Sequence, residues 1–185
     1  MSKLLPFERG RTFSDAGMVT MDDGTYSHLE GQRFKCEDTV HGTGQKITLL
    51  VVKNDTGAAI TAARKFYKFS VTDAKDFGRR VAGVASTAGM VCKPLDDAYT
   101  VGFSIPAGDL FYVTDEGWGT VQSAAGTVNV AAGEQVATTA LGLIGGAAAA
   151  AGEYAAGWTD QALTTASTDY RIWINGGLCG GIVGT

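Results

Sequence analysis

The second half of this 185-residue chain nearly lacks positive charge: of 15 lysines and arginines, only Arg171 lies beyond residue 93. Fourteen cations face ten acids before that point, and one faces nine after it, so a net +4 half is joined to a net −8 half. A net +4 dispersed over 93 residues is too little for a nucleic-acid partner. The opposed halves suit complementary contacts, either between copies or with an oppositely charged surface. Cysteine is scarce, and Cys36, Cys92 and Cys179 have no spacing of a zinc knuckle or a redox pair. An odd number of thiols without a leader suggests reduced cysteines in a cytosolic assembly environment. The opening MSKLLPFERGR has too short an apolar run for a signal peptide. The uncharged stretch Ala137–Ala151 is 15 residues long and contains three glycines, so no membrane span is expected. Charged residues reach only 18%, which hints at surface covered by a partner.

Catalytic signals are as sparse. His28 and His41 are the two histidines, and no serine stands in a nucleophile elbow. Cys36, Asp38 and His41 lie close together, but no second cluster completes a four-ligand site. HGTGQK (His41–Lys46) lacks the spacing of a phosphate loop and precedes a strand where a helix should follow. The adjacent acids Asp22/Asp23, Asp96/Asp97 and Asp115/Glu116 read as solvated turn residues, since strand neighbours point to opposite faces. The expectation is a protein that is not an enzyme, with no catalytic residue, metal or cofactor. Trp118, Trp158 and Trp173 suit core or interface packing, with a sugar-binding face as the rival use.

What the chain does contain is apolar residues (45%) and 26 glycines, enough for a real core cut by turns. KITLLVVKN (Lys46–Asn54) is a β-branched strand stopped by the turn residues Asn54–Gly57. Within AAITAARKFYKFSV, Lys65, Tyr67, Phe69 and Val71 alternate with Phe66, Lys68 and Ser70 as in a strand. RVAGVAST and GMVCKPL are short strand candidates, and TDAKDFGRR interrupts them with a turn. Leu110–Thr114 and Thr120–Ala124 are expected to pair as a hairpin around an acidic turn, Asp115–Gly119. AAGE turns punctuate the later chain, Ala147–Ala151 has room for one helical turn, and DYRIWING (Asp169–Gly176) alternates as a strand. Short strands with Gly-rich turns at this spacing predict an all-β fold, a small barrel or β-tulip-like sandwich with Gly/Ala-rich loops. Residues 1–25 lack a period and read as an extended N-terminal arm, leaving 26–185 as a single β domain.

The order of these features resembles tailed-bacteriophage capsid decoration (cement) proteins and related head proteins. The residues that carry the likeness are Val51–Gly57, Ala62–Phe69, Arg79–Ala85 and Ile105–Gly117, within about residues 30–125. Lys53 stands where that pattern has arginine, and the Ala-rich stretch and the NGGLCGGIVGT tail have no counterpart in it. The resemblance implies a virion structural protein, assembled in the host cytoplasm, that binds the outside of an icosahedral capsid and bridges major capsid protein subunits. It implies no catalytic residues. Self-association is expected, trimer before dimer, with no nucleic-acid or membrane partner. The arm supplies the candidate capsid-binding residues Lys3, Leu4, Leu5, Phe7, Arg9 and Arg11, which combine cations with apolar anchors. A carbohydrate-binding or adhesin-type β module is the alternative, favoured by an exposed Trp118 or Trp158.

Overall fold

The computed structural model describes residues 5–14, 26–85, 91–100, 102–126, 128–139, 141–150 and 155–176. Lys3, Leu4, Asp22, Asp23 and Cys179 lie outside the described residues. The class expected from the sequence is observed: every regular element among the described residues is a strand. In chain order these are β1 (Arg33–Glu37), β2 (Lys46–Asn54), β3 (Phe66–Phe69), β4 (Arg80–Val84), β5 (Cys92–Pro94), β6 (Leu110–Gln122), β7 (Gln135–Thr138), β8 (Ile144–Ala148), β9 (Gly157–Trp158) and β10 (Asp169–Ile174). They form one open mixed sheet in the order β5-β3-β4-β2-β6-β10-β9-β7-β8, with β1 added to β2. All ladders are antiparallel except β2 with β4. The path bends back on itself twice, because Leu95 bridges Val113 and Ser123 bridges Ile144.

β2 is buried from Ile47 to Val52 without alternation, as a continuous β-branched run requires when both faces are covered. β10 alternates: Tyr170, Ile172 and Ile174 point inward, while Arg171 and Trp173 remain half-exposed. β3 is shorter than the sequence pattern suggests, because pairing is confined to Phe66–Phe69 between β4 and β5. Ala147 and Ala148 belong to β8 rather than to a helical turn.

The largest departure from expectation is at β6. The hairpin does not form, and Leu110–Gln122 is one strand of 13 residues. Its first part pairs with β2 and its second part, Gly117–Gln122, pairs with β10. The handover is a bulge: Thr48 faces Glu116 and Leu49 faces Thr114, so Asp115 is the extra residue. Burial changes there too. Leu110–Asp115 is buried throughout, and from Glu116 onward exposed or half-exposed residues alternate with buried ones. The glycines that suggest a turn face inward because there is no room for side chains. A Cβ at Gly117 would stand 2.7 Å from Ile47 Cγ2, and one at Gly119 would stand 3.2 Å from Ile174 Cγ1. Gly117 also has φ +106°, a conformation that side chains resist.

Two apolar clusters sit on the two parts of β6. One gathers Leu49, Leu50, Val52, Tyr67, Phe111 and Val113, and the other Phe66, Val121, Val136, Ile144, Ile172 and Ile174. Phe66 crosses from β3 into the second cluster, and its amide donates to the Gly142 carbonyl at 2.7 Å. Phe111 is fully buried, so Phe111→Ala should cost about 3–5 kcal/mol in urea unfolding. Gly117→Ala should cost about 1–3 kcal/mol from backbone strain, with the Ile47 clash added. Wild-type stability in either variant would contradict this packing.

Candidate functional site

The charge asymmetry of the sequence is spent inside the molecule. Cations of the first half pair with acids of the second across long sequence separations. Arg9 grips Asp96 with two bonds, Nε to Oδ2 at 3.0 Å and Nη2 to Oδ1 at 2.6 Å. Arg33 Nε donates to Asp115 Oδ2 at 2.7 Å, and Lys93 Nζ lies 3.4 Å from the other oxygen. Arg64 Nη1 pairs with Asp97, and its Nε lies 3.6 Å from Asp169. Asp96, Asp97 and Asp115 are buried, which corrects their reading as solvated turn residues. Glu116 alone of those in the described pairs is exposed.

Lys93 was invisible as a feature of the sequence, flanked by Cys92 and Pro94 in a three-residue strand. It is fully buried, directly across from the bulged Asp115, and donates to the carbonyls of Asp115 (2.8 Å) and Asn175 (2.5 Å). Burial pulls its pKa below the lysine range, and Asp115 opposes that shift. Two carbonyls accept from the ammonium and the Asp115 carboxylate lies beside it as counter-charge, so the group ties β5, the β6 bulge and the end of β10 together. Cys92 beside it is sealed away, its thiol pushed up to about 12 by burial.

Cys36, Asp38 and His41 do not converge on a metal. No group of three or more such ligands is placed to hold one among the described residues. His41 bridges two acids instead. Its Nδ1 stands 3.1 Å from Asp38 Oδ1, and its Nε2 stands 3.0 Å from Asp97 Oδ2 and 3.1 Å from Thr120 Oγ1. Both ring nitrogens are engaged. The bond to Asp97 does most to raise the His41 pKa, against the opposing effect of burial. Burial disfavours the Asp38 carboxylate, but the His41 amide and the Thr43 hydroxyl outweigh it and hold its pKa below the usual range. Arg64, which completes the knot, has φ +59°, and its carbonyl accepts from Gln122 at 2.9 Å.

The candidate arm residues divide. Phe7 stacks on Tyr112 at 4.3 Å, and the Tyr112 hydroxyl donates to the Phe7 carbonyl at 3.0 Å. Phe13 pairs with Leu110 at the start of β6, and Tyr99 donates to the Arg11 carbonyl at 2.8 Å. Leu5, Phe7 and Arg9 therefore hold residues 5–14 on the protein's own surface, while the Arg11 and Phe13 side chains face outward. Removing residues 5–14 would therefore take packing and hydrogen bonds away from the β fold itself.

The tryptophans form one row. Trp118 of β6 faces Trp173 of β10, which faces Trp158 of β9, all on the outward side of the sheet. Trp118 and Trp173 meet edge to face at 5.4 Å, and the Arg171 guanidinium lies 4.4 Å over Trp118. Trp158 is 43% exposed. No protein family, curated protein or solved structure matches the chain.

Two outcomes follow from the ion pairs. Arg9→Ala leaves Asp96 buried and unpaired and should cost about 3–5 kcal/mol by denaturant unfolding, whereas a change below about 1 kcal/mol would place Asp96 in water. The His41 pKa is raised on folding, so its stabilisation is complete below the ordinary value of about 6.5 and fades as pH climbs through the raised native value. The stability gap between wild type and His41→Asn should thus be wider at about pH 6 than at about pH 9. A constant gap would mean that the ring is held as a neutral group.

Proposed function

We propose that this chain is a virion structural protein that binds the outer surface of an icosahedral phage capsid and stabilises it by bridging major capsid subunits. The likeness of Val51–Gly57, Ala62–Phe69, Arg79–Ala85 and Ile105–Gly117 to decoration proteins supports the reading from the sequence side. The observation that carries it from the structural side is an apolar depression of about 240 Å³ lined by Phe69, Val71, Phe77, Ala82 and Val91. Val71 is 79% exposed and Phe77 37% exposed at its rim, so large apolar side chains stand open to solvent there. Lys68 lies at the edge of the depression, and Arg11 and Phe13 extend the outward surface at the arm.

Binding of this kind works by mass action. A copy that engages only the assembled shell lowers the free energy of that shell relative to its parts. The rigid two-cluster body, braced by ion pairs, loses little further entropy on docking. Self-association, as a trimer over a symmetry axis of the shell, fits the same mode of use.

The test is co-sedimentation with undecorated capsids of the phage that encodes the chain, alongside capsid thermal rupture. Wild-type protein should pellet with capsids and raise their rupture temperature. Val71→Asp should retain the monomer's melting temperature and lose pelleting by about ten-fold or more in affinity. Absence of wild-type protein from the pellet would refute the proposal.

A further inference from the structure

We infer that the outward face of β6, β10 and β9 is a binding platform for a neutral oligosaccharide. The assignment rests on the tryptophan row and does not depend on capsid binding. Trp118, Trp173 and Trp158 occupy directly opposed positions on three adjacent strands, and Gln135 of β7 continues the row beyond Trp158. Strand spacing sets the row at about 10 Å from end to end, the scale of two linked sugar rings.

Indoles on a solvent-facing sheet surface offer flat apolar area to the C–H face of a pyranose. Two of the three are already fixed without a ligand. The Trp118 indole N–H donates to Gln45 Oε1 at 2.8 Å, its ring carries Arg171, and Trp173 is held edge-on against it. Trp158 is the ring left most open for stacking. Arg171 and Asp160, paired at 2.6 Å and both partly exposed, place a planar donor and a planar acceptor beside the row for sugar hydroxyls.

Charge selects among ligands. Glu116, Asp160 and Asp169 lie on or beside this face, where Arg171 is paired with Asp160 and Arg64 lies 3.6 Å from Asp169, so the balance offers anionic glycans and nucleic acid little attraction. A second copy of the chain fits less well. A stable protein interface takes about 800 Å² from each partner, and a row about 10 Å long is a small part of that.

The experiment is a fluorescence and calorimetric titration of the full chain with cellohexaose, maltohexaose and chitohexaose, with a sialylated trisaccharide as the anionic control. At least one neutral hexamer should give a saturable shift in tryptophan emission, and the control should give none. Trp158→Ala should lower that affinity by about ten-fold or more while keeping the melting temperature and the capsid pelleting of the wild type. The inference is overturned if no neutral hexamer binds, or if Trp158→Ala binds as wild type. It is also overturned if sedimentation shows a dimer that Trp158→Ala dissolves, which would give the face to self-association. Because capsid pelleting is read separately, failure here and failure of the capsid proposal are distinguishable.

Discussion

One strand has to serve both halves of the sheet, and the rest of the structure is arranged around that constraint. β6 runs 13 residues and changes partner from β2 to β10 at Asp115–Gly117. A straight strand cannot do this while keeping both apolar clusters on buried faces, because a one-residue shift exchanges the faces. The bulge at Asp115 supplies the shift, and Gly117, at φ +106° and hard against Ile47, supplies the turn of the backbone. The bulge turns an acidic side chain inward, and the chain meets that cost with Arg33 on one oxygen and Lys93 near the other. The buried lysine is therefore a consequence of the strand's geometry.

The same logic explains the charge distribution. A cation-rich first half and an acid-rich second half end up interleaved, as Arg9–Asp96, Arg33–Asp115, Arg64–Asp97 and His41–Asp97. Arg9–Asp96 and Arg33–Asp115 join segments that do not pair with each other in a ladder. Their net worth as stabilisers is modest, since desolvation offsets attraction, but breaking one strands a charge in the core. Such pairs specify which segments meet. In a sheet of short strands, where register is weakly set by two- or three-residue ladders such as β5 and β9, that specification matters. Asp38, His41, Asp96, Asp97 and Asp115 are all taken up in this bracing.

Much of the fold was legible. Lys46–Asn54 and the start of the last strand at Asp169 are where hydrophobic pattern and turn residues place them. The Asn54 turn is closed by its own side chain, whose Oδ1 accepts from the Thr56 amide at 3.1 Å. The hairpin was misread because two glycines and two acids in DEGWG carry the composition of a turn. The signal that distinguishes a strand was nonetheless present: Gly117, Gly119 and Val121 alternate with Trp118, Thr120 and Gln122 at period two. Small residues on the inward side mark close approach rather than reversal. The ion pairs were not legible, because Arg9 and Asp96 are 87 residues apart and nothing local joins them. The tryptophan row needed the register of three strands, which sequence spacing does not supply.

If β6 is the common spine, the two apolar clusters cannot unfold separately. Native-state hydrogen exchange along Leu110–Gln122 measures this directly. The account predicts that ladder amides on both sides of Gly117 open with the same free energy, equal to that of global unfolding. Early exchange of the Gly117–Gln122 amides, at a free energy well below that of Leu110–Thr114, would contradict it and make the β10-β9-β7-β8 half of the sheet a separately folding unit.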